Sequence, residues 1–415
     1  MVAATLRLVV VGTAAALLFI FCSGPTWTVV GDSMAPNLLG LHYPCRCEDC
    51  GYRFTVSPSV VDHPATCPMC GRRGLAPARS RPLGGTRLGL GAKAAPPLRR
   101  FEVAAFRTPD GEPMVKRVLG LPGERVRIHR GELWVNGRRY AKSMAEFRQT
   151  AVAVHDARYR APETLPARWQ TTPSANWQRR GSVFATERGQ LRYRHQVSYR
   201  CAIPRGEASE VRAHRGYNVD VSGEPGPVND LLLTADYRFT RPGRVIWVLR
   251  GAHGQSADTL MPDDSAILTA QIGDRAIEWS IAGLPTPART PRIEGWQRVE
   301  FGRFDGRALL SVDGRTLLVA EANDLAGAAP RACSPAMEAG EAVRIEAATS
   351  LVVGAPRIDR DVHYESPSYL LNARQDQWML GANEWFFLGD NPAVSKDSRR
   401  LGPVPFDRLL GRVRW

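Results

Sequence analysis

A chain of 415 residues has room for two or three domains, each with a core of its own. Hydrophobic residues make up 44% and charged residues 23%, which excludes a largely disordered chain and a polytopic membrane protein. The balance of 55 Lys+Arg against 41 Asp+Glu gives +14, suited to an anionic membrane surface or simply to an Arg-rich proteome. Nucleic acid is not expected as a partner, because no basic stretch is interleaved with stacking aromatics. Eight cysteines are too few for a disulfide scaffold of this size, and five of them fall between Cys45 and Cys70.

The chain opens with residues 8–22 (LVVVGTAAALLFIFC), apolar or small throughout. With their flanks they approach the ~20 residues that a bilayer requires. A cleaved signal peptide is the alternative. The best cleavage candidate follows Gly24 and puts Pro25 just beyond the cut, a poor substrate, so a retained single anchor over 1–24 is favoured. Arg7 before the segment and Arg46 and Arg53 after it do not set an orientation.

Beyond the anchor lies GDSMAP, then a compact Cys-rich unit, then an Arg-, Gly- and Pro-rich stretch from Arg79 to Arg107. Short alternating runs follow at Phe101–Phe106, Arg125–His129 and Glu132–Val135, and Asn136–Gly137 after the last of them predicts a hairpin turn. Residues 146–225 are polar and proline-rich and are expected to form an irregular linker. Strands are then expected at Leu231–Phe239, Arg244–Leu249, Ala266–Ile272, Ala276–Ile281, Trp296–Phe301, Ala308–Val312 and Thr316–Ala320, the last two joined by an Asp313–Gly314 hairpin. Strands at this spacing predict a sandwich or barrel. The stretch WQRVEFGRFDGRALLSVDGRTLLVA resembles a strand pair of concanavalin-like or laminin-G-like jelly rolls. The region contains no cluster of acids and asparagines of the kind a calcium site needs, and its ligand is left open. No helical periodicity of useful length occurs outside the anchor, so the remainder is predicted to be mainly β.

Three separated clusters carry the chemistry. The first is Gly31-Asp32-Ser33-Met34-Ala35-Pro36, in which Ser33 is a candidate nucleophile or merely part of a turn. The second is Lys116-Arg117-Val118-Leu119-Gly120-Leu121-Pro122-Gly123, in which a lysine begins an apolar run. Burial on a strand would lower the pKa of that amine and make it a base; a solvated edge lysine is the plain alternative. The third runs Phe387-Leu388-Gly389-Asp390-Asn391 and on through Ser395, Asp397, Arg399 and Gly402.

In order and in wording, GDSMAP, MVKRVLGLPGERV and FFLGDNPAVSKDSRRLGPV resemble the signal peptidase I family, the membrane-bound Ser/Lys leader peptidases of bacteria. The resemblance spans about a third of the chain. It implies Ser33 as nucleophile, Lys116 as general base and Ser395 as a hydrogen-bond partner of the lysine. It also implies an Asp397–Arg399 ion pair, Asp390 holding the third loop, and Met34 on the substrate-facing apolar surface. Departures are Gly31 where some relatives place a second oxyanion donor, Asn37 where Thr is common, and Pro392 where Arg is common. The implied activity is removal of N-terminal signal peptides from secreted preproteins, with no cofactor in the chemistry. The implied location is the bacterial cytoplasmic membrane, single-pass, in contact with lipid and with the catalytic domain extracytoplasmic. A membrane-anchored binding protein with a vestigial peptidase core is the alternative.

Cys47-x-x-Cys50-Gly and Cys67-x-x-Cys70-Gly are two knuckles spaced to wrap one structural Zn²⁺ in four thiolates, two disulfides being the alternative. Cys45 is then spare, His63 unnecessary, and Cys201 and Cys333 are placed either to pair or to stand as separate thiols. The expected organisation is a discontinuous core from 25–44, 75–145 and 356–415. A zinc ribbon over 45–74 and a β-sandwich over 226–355 are inserted in it. Since the three clusters lie outside 146–355, that insertion is expected to be dispensable for peptide hydrolysis.

Overall fold

The structure is a computed structural model. It describes residues 26–58, 64–78, 81–91, 97–172, 177–196, 209–214, 217, 225–250, 267–273, 277–281, 284–285, 295–321, 340–364 and 376–415. The expected anchor, His63 and the Cys201–Cys333 pairing lie outside the described residues. Among those described, no helix is long and apolar enough to cross a membrane.

The architecture is mainly β, as the periodicity predicts. One seven-stranded antiparallel sheet runs in the order Thr26–Thr28, Arg87–Leu90, Leu409–Arg414, Val103–Arg107, Pro113–Gly120, Glu384–Leu388, Val404–Pro405. Its inner strands are covered on both sides, so they read as nearly unbroken apolar runs. Ala104, Phe106, Val118 and Phe387 form one apolar cluster, and Met34, Leu38, Leu88, Val103 and Val413 form another. Lys116 and Arg117 sit inside such a run, which is why both are buried. A four-stranded sheet of Gln377–Met379, Arg125–His129, Glu132–Val135 and Arg138–Arg139 flanks it. Its hairpin turns at Asn136 (φ 51°) and Gly137 (φ 81°), the double positive φ that Asn-Gly favours.

Two further antiparallel sheets, of eight and seven strands, share one core built from Leu233, Tyr237, Trp247, Phe301, Leu310, Ile345 and Val353 among others. The stretch expected to be an irregular linker belongs to these sheets. Val152–Asp156 and Val183–Thr186 pair with Leu351–Arg360, and Gly189–Arg194 pairs with Glu341–Ala347. These strands are only four to six residues long, too short for alternation to declare them, and neighbouring longer strands fix them instead. A seven-residue helix, Met144–Thr150, precedes them, with Ser143 and Glu146 forming a capping box.

Where the insertion meets the core there is an acidic cluster that the sequence does not announce. Glu132, Asp230, Asp305 and Asp361 place carboxylate oxygens within 4.8 Å of one another. A cation is built in: Lys142 Nζ lies 2.5 Å from Asp305 and 2.8 Å from Asp361. Burial still pushes the Asp361 carboxyl up to about 7. Successive members of the cluster are 56 to 98 positions apart in the chain, so spacing alone cannot show it.

Candidate active site

Strand pairing brings the three clusters together. Lys116 lies on Pro113–Gly120, opposite Ala104 on one neighbour, while Phe387 and Leu388 on the other neighbour pair with Val118 and Arg117. The third cluster therefore continues out of the strand beside the lysine, and its loop passes over Ser33. Gly389 makes that passage possible, since a Cβ there would collide with the Ser33 carbonyl oxygen and the Ser395 side chain. The Asn391 N–H donates to the Ser33 carbonyl at 2.9 Å, and the Asn391 amide donates to the Asp32 carbonyl at 3.1 Å. Ser33 is held in a turn by its neighbours, with Ala35 N–H donating to Asp32 O and Leu38 N–H to Met34 O.

Lys116 Nζ donates to Ser33 Oγ at 2.5 Å and reaches the Val115 carbonyl at 3.3 Å. Burial pushes the amine down to about 8, with Asp397 and Asp390 opposing and Arg399 adding to the shift. A neutral amine in the same place would accept the serine proton across this contact. The pair thus has the geometry of a nucleophile and its base.

Around it, Arg399 grips Asp397 with two bonds of 2.9 and 2.8 Å and donates at 2.9 Å to the carbonyl of Pro392. Asp397 also accepts the Gly389 N–H at 3.1 Å and caps the short helix Ser398–Leu401. Asp390 takes a bidentate pair from Arg117, both bonds 2.6 Å, and a third bond from Asn37 at 2.8 Å. Ser395 is wholly buried against Gly389, beside the Ser33 backbone. Met34, expected on a substrate-facing surface, is only 1% exposed and packs with Leu38, Leu88, Val103 and Val413.

Several residues here had no role assigned from the sequence. Arg117 follows Lys116 directly, and an arginine within an apolar run is a signal that it needs a buried acid. Asn37 replaces a threonine yet supplies the donor that Asp390 uses. Asp32 is the larger surprise: its carboxylate accepts from Tyr217 at 2.8 Å and from Ser57. Ser57 follows the ribbon hairpin Tyr43–Arg46/Arg53–Val56, and its N–H donates to the Tyr217 carbonyl. Asn37 also donates to the carbonyl of Gln149. Both insertions therefore hold the turn that carries Ser33, and the expectation that 146–355 is dispensable does not fit this geometry.

The ribbon cysteines converge as well. Cys47, Cys50, Cys67 and Cys70 bring their sulfurs within 4.8 Å of one another. Cys47 Sγ is 3.4 Å from Cys70 Sγ, and Cys50 Sγ is 3.6 Å from Cys67 Sγ. A tetrahedral zinc with bonds of about 2.3 Å sets its sulfurs roughly 3.8 Å apart, while a disulfide needs about 2.05 Å. The four cysteines fit the ion. Cys45 is buried in the same apolar cluster, and its thiol is pushed up to about 11 by burial, as suits a spare packing residue.

A family model described as "Signal peptidase, peptidase S26" matches residues 2–188 and 339–415, well over half of the chain. Signal peptidase I V of Bacillus subtilis (strain 168) is 40% identical over 45 residues, covering 11% of this chain and 27% of that relative. Among solved structures, a Trypanosoma rangeli sialidase mutant has a TM-score of 0.27 at 11% identity, covering 47% of this chain and 28% of its own. The Caenorhabditis elegans galectin LEC-6 has a TM-score of 0.21 at 14% identity, covering 32% of this chain and 83% of its own. The carbohydrate binding module CBM66 of Bacillus subtilis has a TM-score of 0.22 at 12% identity, with 47% and 93% covered. With the matched segments spanning well over half of its length, the chain belongs to the signal peptidase family, peptidase S26.

Proposed function

We propose that this chain is a type I signal peptidase, a membrane-bound serine endopeptidase that removes signal peptides from secreted preproteins. The observation that carries the reading is the buried Lys116 amine in contact with Ser33 Oγ, its pKa held near the working range. In its neutral form Lys116 takes the Ser33 proton as Oγ attacks the scissile carbonyl. The Ser33 N–H is the first donor to the oxyanion. As the tetrahedral species collapses, the lysine ammonium gives its proton to the leaving amine. Water, deprotonated by the same amine, then releases the acyl group. Ser395 orients the amine, while Asp397–Arg399 and Arg117–Asp390 keep the loop over Ser33 in place.

In this reading residues 8–22 anchor the chain in the cytoplasmic membrane, and the catalytic domain faces outward. Ser33 follows the anchor closely, which keeps the nucleophile at the bilayer surface where a signal peptide leaves its own apolar segment. Exposed Val30, Leu41 and Trp415 suit a lipid-facing rim.

The pH dependence tests the base. A lysine whose pKa is lowered to about 8 is protonated and inactive below that value and neutral above it. Hydrolysis of a peptide carrying an A-x-A site is therefore expected to fall about tenfold per pH unit below an inflection near 8, and to level off above it. A flat profile between pH 6 and 9, with the chain folded throughout, would remove Lys116 from the base role.

The ribbon, in the same reading, holds one structural zinc. Four thiolates leave no open position for water, so the metal supports folding and takes no part in the chemistry. Elemental analysis is expected to find about one Zn²⁺ per chain, lost on Cys67→Ser or Cys70→Ser. Brief chelation is expected to spare turnover while the core stays folded. Rapid loss restored by zinc, without any change in folding, would contradict the metal-free mechanism.

A further inference from the structure

The ribbon docks on the sandwich insertion at its second knuckle. His155 Nδ1 lies 3.2 Å from the carbonyl of Met69, which is inside the Cys67-x-x-Cys70 turn. The His155 ring stacks on Tyr193 with centroids 5.3 Å apart. Tyr159 meets Tyr52 edge-on at 4.8 Å. Arg168 completes this contact: its NH2 group is 3.7 Å from the place that a Cβ would take on Gly71, the residue after Cys70.

Arg168 is out of place by ordinary electrostatics. It is 3% exposed, and among the described residues its Nε and NH2 have no hydrogen-bond partner and NH1 reaches only the Tyr193 hydroxyl at 3.5 Å. Among the described residues no carboxylate pairs with it. His155 and His195 lie nearby, and an imidazole is neutral or cationic, so neither supplies a counter-charge. A guanidinium stays charged at any working pH, and a buried one without a counter-charge is strongly unfavourable.

We propose that the missing counter-charge is the metal centre itself. Zn²⁺ bound by four thiolates carries a net charge of −2, and the guanidinium beside the second knuckle is its resident counter-ion. The inference rests on the zinc reading above. Four neutral thiols give Arg168 no partner, whereas the loaded centre does, so metal binding and docking of the ribbon on the insertion favour each other. Linkage makes the effect reciprocal: docking raises the zinc affinity by the factor with which zinc stabilises the docked ribbon, and Arg168 supplies the charge part of that coupling. Through Ser57 and Tyr217 the docked ribbon then steadies Asp32, next to the nucleophile.

The test uses the full-length chain in detergent micelles, with zinc affinity measured by competition against a chromophoric chelator. Arg168→Met keeps the length of the side chain and removes the charge. It is expected to lower zinc affinity about ten- to a hundredfold. Its cobalt-substituted form should retain the thiolate-to-metal charge-transfer bands of a four-sulfur site. Arg168→Lys is expected to recover most of the loss, and serves if the methionine variant does not fold. In the wild type, chelation should speed hydrogen exchange in Val152–Asp156 and Trp169–Thr171, and in Arg168→Met zinc should protect these strands less. Unchanged affinity in a folded Arg168→Met chain would overturn the counter-ion assignment while leaving the zinc centre standing. Zinc-free, oxidised cysteines in the wild type would overturn both. Stabilisation of the wild type by inorganic phosphate, lost in Arg168→Met with zinc affinity unchanged, would make the pocket a site for a free anion instead.

Discussion

Lys116→Met and Lys116→Arg are each expected to lower kcat/KM by about 10⁴-fold or more, as Ser33→Ala should. The physical reasons differ. Methionine fills the space of the aliphatic stem but has no basic atom, so Ser33 Oγ keeps its proton. Arginine places a charge near the same point, yet a guanidinium does not accept a proton in this pH range. Burial is what makes lysine suitable, because it brings the amine down to about 8 while the anionic Asp397 and Asp390 keep it from falling further. The methionine variant also loses a buried charge that is costly to desolvate, so its thermal stability is expected to match or exceed that of the wild type. Peptide hydrolysis and a melting curve on the same samples check both halves. A folded Lys116→Arg chain with appreciable turnover would mean that another group is the base.

Replacing residues 146–355 by a short linker is expected to reduce turnover by roughly a hundredfold in a chain that still folds, because the nucleophile turn would lose outside supports. The insertion supplies Tyr217, whose hydroxyl donates to Asp32, and Gln149, whose carbonyl accepts from Asn37. Tyr217→Phe isolates the first contact. Removing a hydrogen bond to a carboxylate is expected to lower kcat about tenfold with little change in KM, since the hydroxyl positions Asp32 and does not bind substrate. Activity of the folded deletion within a small factor of wild type would show that Ser57 and Asn391 suffice to hold the turn.

Much of the fold follows from local pattern. The runs at Arg125–His129, Glu132–Val135 and Leu231–Phe239 are strands with the boundaries that their alternation predicts. Asp313–Gly314 turns as a hairpin with φ of 50° and 76°, like Asn136–Gly137. The strands between Trp169 and Arg194 were not legible, because Gln178–Arg180 carries no apolar face and its neighbours Val183–Thr186 and Gly189–Arg194 depend on partners roughly 150 or more positions away. The helix Met144–Thr150 did have a signal, Ser143-x-x-Glu146, but seven residues are too few for periodicity to declare them.

The site divides in the same way. Ser33, Lys116 and the third cluster stand out because each lies in a short, dense motif. Arg117 and Asn37 were within those motifs but without an assigned partner. Tyr217, Ser57 and Arg168 carry no local signature at all. Each matters through contacts with residues far away in the chain, and no spacing rule reports such contacts. Met34 shows the converse: a residue inside a motif whose side chain the packing turns inward.

The central claim is that Ser33 and Lys116 cleave a peptide bond after a signal-type recognition site. The most direct measurement is hydrolysis of a fluorogenic peptide with alanine one and three residues before the cut, by wild type and Ser33→Ala in the same micelles, with the cleavage point read by mass spectrometry. The account predicts a single cut after the A-x-A site by the wild type and none by the variant. Equal cleavage by a folded Ser33→Ala chain, or no cleavage by a folded, membrane-reconstituted wild type, would contradict it.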